Sequence, residues 1–286
     1  MKKGTWRKWI HTRLGKITLV GVCVLLVAAV TFLIIGKSEK EQIPELPLVQ
    51  NEVVVPEVPV VKTFKYIEVV GGCDWTGVGA CVNMRSGPGT TYPVIAQLRT
   101  GVVLEVGESI EVEELTWYKV IFTTWLRYPE RVEGDLYVAL TDSVNVFTDV
   151  GPQEASRSQA SSGKRIVVDI SEQVLYAYEG DDVFMKEKVS TGLSATPTPR
   201  GKFFVFRKTP TRYMQGPIPE VSDQYYDLPG VPWDLYFTSG GAVIHGAYWH
   251  NSYGMKWSHG CVNLPVDQAK KLYYWADVGI PVIVQD

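Results

Sequence analysis

The amino-acid sequence predicts a mainly β protein with an N-terminal transmembrane helix, a small β-barrel and a β-rich C-terminal domain with one main helix. Residues 17–35 form an uncharged apolar run that is long enough to cross a bilayer as a helix. From residue 66 onward, short runs rich in Val, Ile, Leu and Tyr alternate with turn residues, which is typical of strands. Residues 265–278 carry the one clear helical pattern outside the apolar run.

Composition and charge exclude some classes of function. The chain has 286 residues, of which 45% are hydrophobic and 12% aromatic, so it has room for two packed domains plus extra segments. Residues 1–36 hold six basic residues and no acidic ones. The remainder holds 22 basic against 31 acidic residues, a net charge of −9. This acidic body argues against nucleic-acid binding, and a membrane explains the basic N-terminus better.

The basic flank predicts the orientation of the membrane segment. Residues 1–16 are expected to be a cytoplasmic tail and residues 17–36 a single-pass anchor in the cell membrane, with the rest of the chain on the extracytoplasmic side. The alternative is a cleaved signal peptide, which usually has a shorter apolar core ending at small residues. Ala28 and Ala29 lie within the apolar run, so an uncleaved anchor is favoured.

Two segments have the composition of connectors. Residues 37–65 are rich in Pro and Val and predict an extended spacer, with an edge strand as the alternative. Residues 151–163 are polar, lack apolar periodicity and predict a linker.

Residues 66–150 predict a small β domain. The turn signal at 86–90 lies within residues 82–94, a stretch that resembles the opening of bacterial SH3-like domains. Residues 127–134 predict a longer loop than a small barrel needs. The resemblance implies a role in binding or positioning on the cell wall, and a spacer without a ligand is the alternative.

The chain has four cysteines, and the sequence leaves open whether two of them form a disulfide. Cys23 falls in the apolar run and Cys261 near the C-terminus, whereas Cys73 and Cys81 are eight residues apart in a Gly-rich stretch. Outside the cytoplasm these two could form a disulfide, and two free thiols are equally compatible with the sequence.

Residues 164–286 predict a β-rich domain with one helix. Strands are expected over 165–170, 174–178, 183–190, 201–207 and 280–284. Residues 208–232 contain five prolines and predict a long loop, either an active-site lid or a surface loop packed by its own aromatic side chains. The helix over 265–278 starts at Pro265 and stops at Gly279, and its N-terminal dipole is expected to favour a nearby thiolate.

One stretch near the C-terminus carries the candidate chemistry, Ser258-His259-Gly260-Cys261-Val262-Asn263. His245 lies 16 residues before Cys261, at the end of the apolar run 242–244. This arrangement predicts a cysteine nucleophile with a histidine base. The alternatives are a structural cysteine and a zinc site, although the spacing of the four candidate ligands matches no common zinc framework. Those ligands would be His245, His250, His259 and Cys261.

The same stretch belongs to a larger set of motifs. Four separated segments resemble, in order, the L,D-transpeptidase catalytic domain: Ser190-Thr191-Gly192, residues 196–203, His245-Gly246 and residues 258–263. The resemblance spans about residues 163–286. It implies a peptidoglycan L,D-transpeptidase that works through a cysteine thioester without cofactor or metal, with donor and acceptor stem peptides as its partners.

The resemblance also assigns roles to residues. Cys261 would be the nucleophile and His245 the base, with the carbonyl of Gly246 orienting the imidazole. The N–H groups of Gly260 and Cys261 are natural candidates for binding the oxyanion. The remaining candidates would shape the site (Ser258, His259, Asn263) or bind substrate (Trp249, Tyr236), with core packing as the alternative for the last two.

Two other functions stay open at this point. If water replaces the acceptor amine, the enzyme is an L,D-carboxypeptidase. A wall-binding module with an inactive catalytic domain is the alternative from another class. The sequence leaves the oligomeric state open.

Overall fold

The computed structural model describes residues 61–123, 125–155, 163–219 and 221–286. The predicted anchor at 17–36, most of the predicted spacer and residues 156–162 of the predicted linker lie outside these ranges. Within the described ranges, no helix has the length and hydropathy needed to cross a membrane.

The N-terminal β domain is one antiparallel sheet of seven strands in the order β3-β2-β6-β5-β4-β1-β7. Strand β1 begins inside the predicted spacer and pairs with both β4 and β7. The inward side chains of the strands, such as Ile67, Met84 and Val138, form an apolar core. The strands are β1 (Phe64–Val69), β2 (Val82–Arg85), β3 (Val94–Leu98), β4 (Val103–Val112), β5 (Leu115–Ile121), β6 (Tyr137–Ala139) and β7 (Val144–Asp149).

Cys73 and Cys81 form a disulfide in the segment between β1 and β2. Cys73 is buried. Of the two possibilities that the sequence leaves open, the structure has the bonded one.

The C-terminal domain is built from two five-stranded sheets and one helix. One sheet has the order β11-β10-β9-β17-β12 and the other the order β16-β15-β14-β13-β8. The pairs β9–β17 and β15–β16 are parallel. The elements are β8 (Gln153–Glu154), β9 (Lys164–Asp169), β10 (Val174–Glu179), β11 (Asp182–Lys188), β12 (Gly201–Phe204), β13 (Arg207–Ile218), β14 (Ser222–Tyr236), β15 (Val243–Gly246), β16 (Val262–Leu264), α1 (Val266–Trp275) and β17 (Pro281–Gln285).

Helix α1 is shorter than the predicted 265–278. It ends at Trp275 because Ala276 is already extended, with φ −77° and ψ 128°. Its buried residues Ala269, Leu272 and Tyr273 belong to a core shared with both sheets. The helix therefore packs its apolar stripe on β14 and β15, next to the strand that carries His245.

The prediction of a long loop over 208–232 is wrong. The segment is most of a hairpin made by β13 and β14, whose register shifts between Arg212 and Met214 and again between Gly216 and Ile218. Pro217 lies at the second shift, where the regular ladder is interrupted and a proline is tolerated. Pro217 thus marks an irregular position within a long strand.

Two smaller boundaries also differ from expectation. The single strand predicted over 201–207 is two strands, because the chain crosses between sheets: Val205 N–H bonds to Ile280 O and Phe206 N–H to Tyr236 O. In the predicted linker over 151–163, Gln153 and Glu154 form strand β8, which pairs with β13.

The two domains share a row of aromatic side chains, here called the aromatic row: Tyr66, Phe147, Trp233 and Tyr273. Ring centroids are 5.4 Å apart for Tyr66 and Phe147, 5.7 Å for Phe147 and Trp233, and 5.3 Å for Trp233 and Tyr273. Tyr66, Trp233 and Tyr273 are almost completely buried. The hydrophobic core therefore continues across the domain boundary.

A loop of the N-terminal domain also reaches the β13–β14 hairpin. Residues 125–134, here called the clamp loop, include the expected long loop and a 3-10 turn at Pro129–Arg131. The Tyr128 hydroxyl donates to Pro217 O at 2.7 Å, and Arg131 Nη1 donates to Gly216 O at 2.7 Å. The extra loop length thus serves a contact between domains.

Candidate active site

Cys261 sits at the end of a tight turn that a serine side chain holds. Ser258 Oγ accepts a hydrogen bond from Gly260 N–H at 3.1 Å and donates one to Cys261 O at 2.5 Å. Gly260 has a φ of 114°, a conformation that favours glycine. Ser258 is buried, so these bonds are shielded from water. The turn therefore fixes the backbone that carries the thiol.

His245 lies on β15, fully buried and opposite Asn263 of β16. Its Nδ1 is 3.0 Å from the carbonyl oxygen of Gly246. A carbonyl only accepts, so Nδ1 carries the proton and Nε2 keeps its lone pair. Among the described residues, Nε2 has no hydrogen-bond partner. The tautomer is therefore the one in which Nε2 can act as a base.

Besides the contact of its carbonyl with His245, close packing is a second reason for a glycine at position 246. A Cβ at this position would lie 3.0 Å from Pro232 Cγ and 3.2 Å from the Cα of Val266. Because both neighbours are held in the fold, a larger residue would push α1 away from β15. The glycine lets the helix pack closely beside the histidine.

Burial sets the protonation of both reacting groups. It lowers the pKa of His245 to about 3, although the bond to Gly246 O acts in the opposite direction. Burial also raises the pKa of the Cys261 thiol, and the charge of Arg212 and the Val243 N–H oppose that rise only in part. The pair is therefore a neutral thiol and a neutral imidazole at pH 7. The expectation that the dipole of α1 favours the thiolate stays a prediction.

The thiol is partly accessible and its nearest hydrogen-bond acceptor is a backbone group. Cys261 Sγ is 3.9 Å from Gly241 O, in the loop that precedes β15. This contact leaves the lone pair of His245 Nε2 free. Cys261 Sγ and His245 Nε2 thus share no hydrogen bond in this structure.

His250 and Asn263 form a buried pair beside the site. His250 Nδ1 accepts the Ser252 N–H at 3.0 Å, so Nε2 carries the ring proton. Asn263 Nδ2 lies 2.8 Å from Nε2, so two donors would face each other, and we infer that the amide is rotated so that Oδ1 accepts from Nε2. Burial lowers the pKa of His250 to about 4, which keeps the ring neutral.

These hydrogen bonds engage nitrogen atoms that the alternative zinc site would need as ligands. Both ring nitrogens of His250 are engaged, and His245 Nδ1 is bonded to Gly246 O. In the part of the chain that the structure describes, no three His, Cys, Asp or Glu side chains are grouped so that they could hold a metal ion.

The upstream motif at residues 190–192 and the residue after it form backbone hydrogen bonds with the segment that carries Cys261. Ser190 and Asn263 exchange two backbone hydrogen bonds, of 3.0 and 2.9 Å, and Leu193 N–H donates to Ser258 O at 2.8 Å. A Cβ on Gly192 would lie 2.2 Å from Thr196 O, so only glycine fits there. The separated motifs of the sequence therefore meet at one place.

Cys261 lies on the wall between two cavities. The smaller cavity, of about 390 Å³, is also lined by His245, Trp249 and Asn263. The larger one, of about 750 Å³, is also lined by Tyr236 and Gly260. Four residues line both cavities: Met214, Tyr226, His259 and Cys261. A reacting group on Cys261 can thus be approached from two sides.

Trp249 and Tyr236 therefore line different cavities. The Trp249 ring lies 5.7 Å from the His245 ring, and its partly buried side chain also packs against the N-terminal core. Tyr236 shares the larger cavity with Arg212, whose guanidinium is 5.4 Å from the tyrosine ring centroid.

Sequence reasoning missed several lining residues. Met214, Tyr226 and Arg212 come from the hairpin that was expected to be a loop, and the lid interpretation was the only signal for them. Trp125 and Arg127 come from the clamp loop of the other domain. The unexplained length of that loop was the only signal that could have found them.

Comparison with known proteins identifies two domain families in the chain. Residues 163–284 match the family model of the L,D-transpeptidase catalytic domain, and residues 78–130 match that of the bacterial SH3 domain. No curated protein matches the chain.

Several solved structures are similar to the chain. A mutant L,D-transpeptidase from Enterococcus faecium is 28% identical, with 42% of this chain and 49% of that chain covered and a TM-score of 0.39. The match therefore spans about half the length of that relative. An L,D-transpeptidase from Mycobacterium smegmatis is 23% identical, with 64% and 99% covered and a TM-score of 0.41. One from Mycobacterium tuberculosis is 20% identical, with 63% and 98% covered and a TM-score of 0.39. On the two family matches, the chain carries an L,D-transpeptidase catalytic domain with a bacterial SH3 domain on its N-terminal side.

Proposed function

We propose that the protein is a membrane-anchored peptidoglycan L,D-transpeptidase that joins stem peptides through a thioester on Cys261. The observation that carries the proposal is that Cys261 and His245, whose Nε2 has no hydrogen-bond partner among the described residues, line one cavity of an L,D-transpeptidase catalytic domain. The pairing also argues against an inactive catalytic domain.

The first half-reaction releases the terminal residue of the donor. The thiol turns from Gly241 O toward His245 and attacks the carbonyl between the third stem residue and the terminal D-Ala. Because thiol and imidazole both start neutral, Nε2 takes the proton as the carbon–sulfur bond forms. The C–N bond then breaks, the imidazolium returns this proton to the leaving amine, and D-Ala departs.

The developing oxyanion needs fixed donors. Gly260 N–H already donates to Ser258 Oγ, which leaves Cys261 N–H as the backbone candidate of the two expected. Tyr226 lines both cavities, and burial raises the pKa of its hydroxyl, so that it stays a protonated donor. We propose Cys261 N–H and Tyr226 as the oxyanion-binding groups.

In the second half-reaction the side-chain amine of another stem attacks the thioester, and Cys261 leaves as the thiol. The two cavities that meet at Cys261 support transfer, since one can hold the acyl donor while the other admits the acceptor. If water enters instead, the product is a trimmed stem peptide and the activity is that of an L,D-carboxypeptidase.

We also propose that residues 37–286 lie outside the cell membrane, held by the anchor at 17–36. The Cys73–Cys81 disulfide supports this location because disulfides persist in oxidising compartments. If a protease added to wall-stripped cells digests known surface proteins but leaves this part intact, the orientation is wrong.

The test of the chemistry is incubation of the protein with defined tetrapeptide muropeptides, followed by mass spectrometry. Transpeptidation gives cross-linked dimers and free D-Ala, whereas hydrolysis gives tripeptides. A carbapenem should add once, on Cys261.

Three variants separate the roles. Cys261→Ala and Cys261→Ser should abolish both adduct and activity, because a hydroxyl is a much weaker acid than a thiol. His245→Ala should slow acylation about 10²–10⁴-fold. An active Cys261→Ala protein, or an adduct on Cys73 or Cys81, would overturn the mechanism.

A further inference from the structure

The larger cavity has an unusual charge. Two of its lining residues are formally charged, Arg212 and Arg127, and both are cationic, while no Asp or Glu of the described residues lines it. Residues 37–286 carry 22 basic and 31 acidic residues, a net charge of −9. A cavity lined by one sign of charge attracts ligands of the other sign. The cavity is therefore suited to an anionic group, although residues 37–286 as a whole carry a net negative charge.

Of the two cations, Arg212 is the one whose charge acts on the reacting groups, Cys261 and His245. It stands on β13 opposite Val231. Its Nη1 atom is buried without a hydrogen-bond partner among the described residues. A buried guanidinium donor without an acceptor is costly, so an acceptor supplied by a ligand would be bound strongly.

Among the described residues, Arg212 has no carboxylate in salt-bridge contact. None of the salt bridges between described residues includes it. Asp234 on the neighbouring strand is a carboxyl whose charge would act on Arg212, but burial holds its pKa well above the ordinary value, against the opposing charges of Arg212 and Arg207, and disfavours the charged form. Both Asp234 oxygens are themselves without hydrogen-bond partners in the described part. The positive charge of Arg212 thus remains available to a ligand.

Arg127 supplies the second cation from the other domain. Its guanidinium packs 5.3 Å from the ring centroid of Trp125, a side chain that is 74% exposed. The neighbouring Tyr128 is bonded to Gln215 and Pro217 of the hairpin, which fixes this part of the clamp loop beside the cavity. The bacterial SH3 domain is therefore part of the cavity wall.

We propose that the larger cavity binds a free carboxylate of the stem peptide, with Arg212 receiving it beside Cys261 and Arg127 at the rim. The inference rests on the proposed function and adds a recognition group to it. A guanidinium matches a carboxylate with two parallel hydrogen bonds. In a tetrapeptide donor, a free carboxylate follows one residue after the scissile bond, and a third residue with a side-chain carboxylate offers another.

The experiment compares three donor peptides on the full-length protein in detergent: the free tetrapeptide, the same peptide amidated at its C-terminus, and the same peptide amidated on the third residue. The readout is kcat/KM for release of the terminal residue. We expect amidation of the recognised carboxylate to lower kcat/KM roughly 10- to 100-fold, the range for a hydrogen-bonded ion pair. The amidated peptide that is the poorer substrate identifies the carboxylate that the cavity binds.

Variants link the effect to the arginines. Arg212→Gln should bring the ratio of kcat/KM for the free peptide to kcat/KM for the amidated peptide close to one. Arg212→Lys should keep part of the difference between the two peptides. Arg127→Gln should raise KM with little change in kcat. Arg165→Gln is the matched control, since Arg165 lies on β9 in the other sheet and bonds to Gly180 O.

The outcomes separate this inference from the proposed function. If wild-type protein turns over all three peptides equally, the carboxylate site is wrong and the enzyme assignment stands. If wild-type protein turns over none, the proposed function fails. In that case, calorimetry measures the binding of the same three peptides to the full-length Cys261→Ala variant. Equal affinities for the three peptides would overturn the carboxylate site.

Discussion

Tyr128 and Gln215 exchange two hydrogen bonds across the domain boundary. The backbone N–H of Tyr128 donates to Gln215 Oε1 at 2.9 Å, and Gln215 Nε2 donates back to Tyr128 O at 3.1 Å. Gln215 is buried, so the pair is protected from water. It connects the clamp loop to the hairpin that supplies Met214 and Tyr226 to both cavities.

Gln215→Ala should therefore loosen the hairpin. It leaves two Tyr128 backbone groups without partners, which should cost about 1–3 kcal/mol of unfolding free energy. Hydrogen exchange should accelerate in residues 125–131 and 213–218. Gln268→Ala on the surface of α1 is the control, because Gln268 bonds only to Asp267 and Lys271 among the described side chains. Unchanged exchange in Gln215→Ala would mean that the domains are held by other contacts.

Ser258→Ala tests the turn that carries the thiol. The substitution frees Gly260 N–H and removes the donor to Cys261 O, so we expect a loss of about 1–2 kcal/mol in stability. Acylation by a carbapenem should slow, because the backbone of Cys261 is no longer fixed. Ser171→Ala, in an exposed turn with Asp169, should leave the acylation rate unchanged. If Ser258→Ala acylates at the wild-type rate, the serine does not position Cys261.

The protonation of Cys261 can be read from alkylation. Burial raises the pKa of the thiol above its ordinary value and lowers that of His245 to about 3, so neither group is charged at pH 7. Only the thiolate reacts, so the rate with iodoacetamide should rise about tenfold per pH unit between pH 6 and 8. Peptide mass spectrometry assigns the label to Cys261, with Cys261→Ser as the background control. A rate that is flat over this range would indicate a preformed thiolate–imidazolium pair.

Removal of the disulfide should affect stability and leave the chemistry intact. Cys73 and Cys81 close a short loop with a sequence separation of 8, for which chain entropy gives a stabilisation of about 2–3 kcal/mol. The double variant with Ser at both positions should unfold at a lower temperature but acylate at the wild-type rate. Reduction of wild-type protein should reproduce the shift. A loss of acylation in the double variant would show that this loop supports the catalytic domain.

Local patterns in the sequence predicted much of the candidate site. The apolar run before His245 predicted β15, and the glycine beside Cys261 predicted a turn, because both depend on neighbouring residues. Helix α1 followed from its apolar stripe, with an end three residues too late since Ala276 is extended in the fold.

The remaining features depend on contacts between distant residues. The hairpin was missed because Pro217 and its register shifts interrupt the alternation that identifies strands. The clamp loop meets Gln215 at a separation of 87 residues, which no local pattern encodes. The pKa of the Cys261 thiol likewise depends on what buries it, which only the assembled fold shows.

The aromatic row has a consequence for how such proteins can diversify. Tyr66 and Phe147 in one domain pack against Trp233 and Tyr273 in the other, so each domain completes the interior of its neighbour. A foreign SH3 domain grafted in front of residue 164 would leave Trp233 facing water unless it brought matching aromatic side chains. Recombination at this junction is therefore constrained, and the two domains are expected to be inherited as a pair.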